Sequence, residues 1–287
     1  MSPRRGITVL EMLVVLVLCL LAGGFGIVMI ARLRESGQRE MCKNNLRVLG
    51  QAMHAYHGKP EDPNARHYLP PSRIADGYAT WAVLIAPHML NDHPLLKWDV
   101  QQSYFAQTVE VREARVPVHF CPTRTRRATL SDAGDLDAAG AHVPGGLGDY
   151  ASVAGDGTED NGALACAQAI QRKGDRIVGW QSLTSVDALK RGQSNTLLLG
   201  EKHVSADRMG DAAVGDGTLY SGQHSACFSR FAGAGFPLAP SIDEPFKNNF
   251  GSWHSGVCNF LMADGGARTM TITVDETVLG NLARRGE

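Results

Sequence analysis

The sequence lacks an excess of charge of either sign and contains few aromatic residues. Lys and Arg number 28 against 29 for Asp and Glu, and Phe, Trp and Tyr make up 7% of the 287 residues. A balanced chain has neither a basic field that would attract nucleic acid nor the acidic excess of a solvating tail. We therefore expect no nucleic acid among its partners.

Common catalytic and metal-binding patterns are also missing. The chain has no P-loop, no G-x-S-x-G turn and no H-E-x-x-H helix. Its six cysteines include no C-x-x-C pair, the spacing typical of one class of structural zinc site. We find neither internal repeats nor low-complexity segments. These absences predict a protein that is not an enzyme and needs no cofactor.

One long apolar run stands near the start. Residues 12–31 contain no charged side chain, and twenty helical residues reach about 30 Å, the thickness of a bilayer core. Arg4 and Arg5 precede the run as in a secretory signal peptide, but the run is longer than usual and no small-x-small cleavage site follows. The sequence favours a retained transmembrane helix over residues 7–31, with a cleaved signal peptide as the alternative.

Glu11 is the charge that stands directly before this run. An ionised carboxylate inside a bilayer costs about 2.5 kcal/mol or more, so a partner or a specific role is expected. The alternative is that Glu11 lies near the interface and extends to water.

The segment Arg4-Arg5-Gly6-Ile7, with Glu11 four positions later, resembles the signal of type IV prepilins and type II secretion pseudopilins. The resemblance implies a leader over residues 1–6, cleavage by prepilin peptidase between Gly6 and Ile7, and N-methylation of Ile7. Glu11 would then pair with the N-terminal amine of a neighbouring subunit, because pairing offsets the cost of two lone charges in a low dielectric.

The same resemblance implies a location. A prepilin-like chain of this kind would be a single-pass protein of the inner membrane, with a cytoplasmic leader and a periplasmic or extracellular C-terminal domain. Its partners would be prepilin peptidase, other pilin or pseudopilin subunits and the inner membrane.

The helix is expected to continue beyond the apolar run. Leu46, Leu49, Met53 and Tyr56 recur at spacings of three and four, which indicates one apolar stripe packed on a domain. Gly58 and Pro60 predict its end, so we assign residues 7–58 to the N-terminal helix and 59–287 to a globular domain.

The globular part alternates short apolar runs with clusters of Gly, Pro, Asn and Asp, a pattern of strands and long loops. The sequence therefore predicts an α+β fold, in which the long pilin-type helix packs on a mainly antiparallel β domain. Asp264-Gly265-Gly266 predicts a tight hairpin, and a last helix is expected over 275–283. The predicted strands are 79–85, 116–120, 150–154, 176–180, 196–200, 257–263 and 267–273.

Motifs across the globular part resemble one group, a prepilin-like family with a large C-terminal domain of unknown function that ends in a His-x9-Asp-Gly motif. The resemblance implies an assembly signal and an anchor, and no known ligand. The segments that carry it are Met41–Leu46, Leu69–Ser72, Cys121–Thr123, Gly192–Thr196, Leu199–Glu201, and His254 followed by Asp264 and Gly265.

Cysteine use is typical of an exported domain. Cys42 and Cys121 stand in motifs of the resembling family, which favours a disulfide between them, and Cys227 with Cys258 is the second predicted pair. Connectivity cannot be read from spacing, and the alternative is that all these cysteines are reduced, buried side chains.

Two further clusters have a catalytic or metal-binding interpretation. His254 and Asp264 resemble an acid/base pair, but about ten extended residues span roughly 30 Å, so we predict a structural motif in which Asp264 and Gly265 form a turn and His254 orders a loop. The acidic loop that contains Asp156 and Asp160 offers hard oxygens for Ca²⁺, with a solvated turn as the alternative.

The sequence thus favours a structural function. We expect a pseudopilin or minor pilin, processed by prepilin peptidase and assembled through its N-terminal helix into a type II secretion or type IV pilus-like filament. The alternative is a membrane-anchored surface-display module whose domain binds glycan or protein.

Overall fold

The structure is a computed structural model that describes residues 8–57, 68–126, 128–158 and 160–286. Gly6 and Ile7, the predicted cleavage and methylation positions, lie outside the described residues, as do Gly58 and Pro60 at the predicted helix end.

One long helix opens the described chain. Helix α1 runs from Val9 to His57, 49 residues. Its first turn is a capping box: the Thr8 backbone N–H donates to the Glu11 carboxylate at 2.8 Å, and the Glu11 N–H donates to the Thr8 hydroxyl at 3.3 Å. These bonds from Thr8 lower the pKa of Glu11.

Helix α1 has two different halves. The large apolar side chains described in the first half are exposed, with exposed fractions between 51% at Val14 and 77% at Val9. Cys42, Leu46 and Leu49 in the second half are completely buried. The second half packs on two strands of the globular part, whereas the first half contributes nothing to its core.

The predicted location in a membrane is wrong. None of the helices formed by the described residues combines the length and the apolar character needed to cross a bilayer. The prediction depends on the uncharged run 12–31 of the sequence. We therefore withdraw the transmembrane segment over 7–31 and the single-pass inner-membrane assignment, together with the periplasmic or extracellular placement of the domain.

A five-stranded sheet forms the centre of the globular part. Its order is β5-β1-β4-β6-β7, with β5 parallel to β1 and the other neighbours antiparallel. Separately, β2 and β3 form a two-stranded antiparallel sheet. The strands are β1 (Tyr150–Gly155), β2 (Gln168–Lys173), β3 (Arg176–Gln181), β4 (Leu197–Glu201), β5 (Ser229–Phe231), β6 (Val257–Met262) and β7 (Ala267–Thr271).

Apart from α1, the α-helices of the described residues are short. They are α2 (Trp81–Leu84), α3 (Val109–Arg112), α4 (Ser225–Phe228) and α5 (Glu276–Ala283). Asp275 caps the start of α5, since its side chain accepts from the N–H groups of Thr277 and Val278. The predicted α+β class, with an N-terminal helix and a mainly antiparallel sheet, is confirmed.

Apolar clusters lie on both faces of the sheet. Leu46 and Leu49 of α1 pack with Leu261 of β6 on one face. Phe260 of the same strand packs with Leu279 of α5 on the other. Because neighbouring strand residues point to opposite faces, β6 separates the two clusters and places α1 and α5 on opposite sides.

Two predicted strands are not strands. Residues 79–85 include helix α2, whose four residues are all buried, so hydrophobic periodicity could not distinguish a strand from a helix there. Residues 117–119 form a 3₁₀ turn that begins with Pro117, which has no N–H to donate to a sheet.

Candidate functional site

Four buried side chains of mixed chemistry meet beneath α1. The Sγ atoms of Cys42 and Cys121, a carboxylate oxygen of Glu201 and a ring nitrogen of His254 all lie within 4.8 Å of one another. Within the part of the chain that the structure describes, no other group of three or more His, Cys, Asp or Glu side chains converges in this way. We call these four residues the Cys/His/Glu cluster.

Four distant chain segments build the cluster. Cys42 belongs to the buried stripe of α1, Cys121 follows the 3₁₀ turn at 117–119, Glu201 ends β4, and His254 precedes β6. The Cys121 N–H donates to the Asp149 carboxylate at 2.8 Å, which fixes this loop beside β1. The cluster therefore joins α1 to the central sheet.

The contacts within the Cys/His/Glu cluster are close. The Sγ atoms of Cys42 and Cys121 are 2.6 Å apart. His254 Nε2 lies 3.5 Å from the Cys121 Sγ and 3.4 Å from Glu201 Oε1. These distances place the two sulfurs, the imidazole and the carboxylate around a common point.

The Glu201 carboxylate is held at one oxygen only. The backbone N–H and side-chain amide of Asn259 donate to Oε2 at 2.7 and 3.0 Å, across the β4–β6 pairing. Oε1 is buried and has no hydrogen-bond partner among the described residues. It faces His254 Nε2.

Glu35 of α1 orients the imidazole from its other side. Its Oε1 lies 2.7 Å from His254 Nδ1, and the Thr123 hydroxyl lies 3.2 Å from the same nitrogen. In the neutral ring, a proton on Nδ1 satisfies Glu35, and the Nε2 lone pair is directed at Cys121 and Glu201. This tautomer is the one that serves a metal or a proton donor at Nε2.

The surroundings shift the pKa of each of the four side chains in the cluster. The contact between the two thiols lowers the pKa of Cys121 and raises that of Cys42. Burial raises the pKa of Glu201 to about 7. Burial disfavours the charged imidazole, but Cys121 and Glu201 beside it raise the pKa of His254 to about 9.

A buried network of ion pairs adjoins the cluster. Arg124 and Arg126 both bond Asp149, at 3.0 and 2.5 Å. Arg126 also bonds Asp216 at 2.5 Å, and Lys202 lies 3.2 Å from Asp216. All five side chains are almost completely buried, so the network links β4 to the loops on either side of β1.

The part of the chain that forms the cluster and the ion-pair network matches a known protein family. The family described as "Protein of unknown function (DUF1559)" matches residues 31–277. The chain belongs to this family. Neither a curated protein nor a solved structure matches. The DUF1559 region contains the Cys/His/Glu cluster and Glu35, and it begins after most of the apolar run.

The structure brings together the cysteines of one of the two predicted pairs and not those of the other. Cys42 and Cys121 are brought together, whereas Cys227 and Cys258 are not joined to each other. Cys227 accepts from the Gly217 N–H at 3.2 Å, and Cys258 faces the Glu201 carbonyl. All six cysteines are free thiols in this structure, and the two disulfides stay predictions.

The His-x9-Asp-Gly motif occupies both ends of β6. His254 lies before the strand in the cluster, and Asp264 lies in the turn to β7, where its carboxylate accepts from the Gly266 N–H at 2.8 Å. Gly265 has a φ of +81°, a conformation that favours glycine. Asp264 and His254 do not meet, which is the geometry that the hairpin predicts.

In the acidic loop, the Asp156 carboxylate contacts other side chains and backbone groups of the protein. Asp156 accepts from the Thr158 N–H and from the Asn161 amide, both at 3.1 Å, and Arg284 lies 3.5 Å from its other oxygen. Asp160 is exposed, and its carbonyl accepts from Arg285. The predicted Ca²⁺ site at Asp156 and Asp160 is not tested by these contacts.

Glu35 and Glu201 are the residues that the sequence analysis missed as site residues. Glu201 carried a signal, since it is a carboxylate at the end of a wholly apolar strand, Leu197–Glu201, and stands in a recognised motif. Glu35 carried none, because it follows Arg32 and Arg34 in a segment with the composition of a solvated helix.

Proposed function

We propose that this chain is a pilin-like structural subunit that assembles into a filament through the first half of α1. The observation that carries the proposal is the set of exposed apolar side chains over 9–21 and 29–33, which together span a helix length of roughly 35–40 Å. A monomeric protein rarely leaves so large an apolar surface in water, which marks it as an interaction surface. Copies of this helix, or helices of related subunits, would cover it.

The start of α1 supports an electrostatic contact in that assembly. Both bonds from Thr8 reach Glu11 at Oε2. Oε1 accepts no hydrogen bond from any described residue, so it is free for the N-terminal amine of a neighbouring subunit. We include in the proposal the removal of residues 1–6 by prepilin peptidase and methylation of Ile7, on the resemblance of the segment around Gly6.

The experiment separates the charge of Glu11 from its capping role. The full chain is expressed in its own cells, and the sheared filament fraction is compared with whole cells by immunoblot. Glu11→Gln keeps the capping hydrogen bonds but removes the charge, whereas Thr8→Ala weakens the cap and keeps the charge. We expect Glu11→Gln to disappear from filaments at an unchanged cellular level and Thr8→Ala to remain.

A filament fraction of Glu11→Gln equal to wild type contradicts the assembly role. Mass spectrometry of the mature N-terminus provides the second test: a methylated Ile7 supports processing, and an intact Met1 contradicts it.

A second candidate function is display of a binding domain for glycan or protein. A cleft of about 420 Å³ next to the buried ion pairs favours it, with Trp253, Met209 and Arg126 among its lining residues. This volume is in the range of small-ligand sites. Binding of the full chain to a glycan or protein array, lost in Trp253→Ala, supports this function, and equal binding by the variant counts against the cleft.

A further inference from the structure

We propose that Cys42, Cys121, Glu201 and His254 bind one Zn²⁺ ion that fastens α1 to the DUF1559 domain. The proposal is independent of filament assembly, because it concerns the buried half of α1 only. It assigns a structural metal site rather than a catalytic one, since all four side chains are buried.

The donor set and its spacing fit zinc. Two sulfurs, one imidazole nitrogen and one carboxylate oxygen are ligands that Zn²⁺ takes in four-coordinate sites. With bonds of about 2.3 Å to sulfur and about 2.0 Å to nitrogen or oxygen, a tetrahedron has S–N edges of about 3.5 Å and N–O edges of about 3.3 Å. The structure has 3.5 Å from Cys121 to His254 and 3.4 Å from His254 to Glu201.

The distance between the two sulfur atoms differs from tetrahedral zinc geometry. The sulfurs of Cys42 and Cys121 are 2.6 Å apart, whereas two zinc-bound thiolates are about 3.8 Å apart. Metal binding therefore moves the two sulfurs apart by about 1 Å. The protons that the thiols and His254 Nε2 carry leave to solvent, so that two thiolates and a free Nε2 lone pair bind the ion. A disulfide between Cys42 and Cys121 is the competing state, because it removes two of the four ligands.

The unpartnered oxygen of Glu201 points independently to a ligand. Leaving one oxygen of a buried carboxylate without a hydrogen bond is unfavourable. Asn259 holds the carboxylate at Oε2, and Oε1 lies 3.4 Å from His254 Nε2. Oε1 faces the same point as His254 Nε2. A cation at that point supplies the missing partner.

Glu35 provides the outer contact that a zinc-bound histidine needs. Metal-ligating histidines donate their second ring N–H to a carboxylate or carbonyl, which fixes the ring and raises the basicity of the ligating nitrogen. His254 Nδ1 faces Glu35 Oε1 at 2.7 Å while Nε2 faces the cluster. Both Glu35 and Cys42 belong to α1, so the ion connects the helix to β4 and to the loops at 121 and 254.

The test uses the full chain, purified with a thiol reductant and freed of metal by a chelator. Zn²⁺ is titrated and counted by elemental analysis, and Co²⁺ serves as a spectroscopic probe of tetrahedral thiolate coordination. We expect one equivalent of Zn²⁺, a thiolate-to-Co²⁺ charge-transfer band and a rise in melting temperature. Cys42→Ser should lose the band, whereas Cys166→Ser, at a half-buried thiol outside the cluster, should retain it.

Glu35→Gln keeps the test informative if the cysteine variants fail to fold. It retains an acceptor for His254 but removes the charge, so zinc affinity should fall about 10–100-fold with the stoichiometry unchanged. Wild-type protein with free thiols that gives no Co²⁺ band and takes up no more Zn²⁺ than Cys42→Ser would overturn the proposal. A Cys42–Cys121 disulfide peptide in metal-free protein from its own cells would overturn it as well.

Discussion

Glu35 and His254 are 219 residues apart in the chain, and their side chains meet at 2.7 Å beneath α1. The imidazole is completely buried and the carboxylate is only partly exposed. Replacing Glu35 by Ala leaves a buried ring nitrogen without its charged partner, so we expect a loss of about 1–3 kcal/mol in the free energy of unfolding, measured with urea.

The control for this prediction lies on the same helix. Glu40 is exposed and pairs only with Lys43, so Glu40→Ala should change stability by less than about 0.5 kcal/mol. Equal effects of the two substitutions would show that the contact with His254 contributes nothing specific.

A Leu→Ala substitution should lower stability in the second half of α1 and filament assembly in the first half. Leu49 is completely buried against the sheet, so Leu49→Ala should lower the free energy of unfolding by about 2–5 kcal/mol. Leu20 is 66% exposed, so Leu20→Ala should leave the unfolding transition unchanged and reduce the filament fraction. Denaturation curves and shear fractions of both variants check this, and a stability loss at Leu20 would contradict the exposed position of the first half.

Asp216 should account for part of the acid sensitivity of the protein. Burial alone raises the pKa of its carboxyl, but Arg126 and Lys202 beside it hold the pKa well below its usual range. The folded state therefore favours the charged form, and the stability it provides is present above about pH 4 and is lost as the pH falls below that value. Asp216→Asn should remove about 3–5 kcal/mol of the free energy of unfolding at pH 7 and should flatten the decline in stability below about pH 4.

Asp243 gives the matched control for that pH series. Its side chain is exposed and lies outside the buried network, so Asp243→Asn should reproduce the wild-type curve. An Asp216→Asn curve parallel to wild type would contradict the coupling of Asp216 to the two cations.

Gly265 should be required for the turn between β6 and β7. Its φ of +81° is unfavourable for a residue with a Cβ, so Gly265→Ala should destabilise the protein by about 1 kcal/mol. Gly37 lies within α1 with open space around it, so Gly37→Ala should be neutral or slightly stabilising. Thermal melts of the two variants should shift in different directions, and equal shifts would rule out a conformational role for Gly265.

Local patterns explain which elements the sequence predicted. Helix α1 follows from its three-four spacing, the β6–β7 hairpin from Asp264-Gly265, and α5 from the cap at Asp275. Strand β2 was missed because its exposed, mostly polar residues have no apolar alternation. Strand β5 was missed because three residues are too few to show a period.

The Cys/His/Glu cluster could be predicted only in pieces. The sequence singles out Cys42, Cys121 and His254 for separate reasons, and its motif relates His254 to Asp264 rather than to Glu201. Their convergence depends on the β4–β6 pairing and on the packing of α1 over β6, contacts between residues far apart in the chain. No spacing in the sequence encodes such contacts.

The continuity of α1 has a mechanical consequence. A pull on the exposed end travels along the helix axis and reaches the domain where Glu35 and Cys42 contact three other chain segments. Side-chain contacts that lie along a helix are loaded in shear, so they must break together rather than one after another. The domain is thus held against tension by a set of contacts distributed through its chain, and the first rupture under load should detach α1 as a single unit.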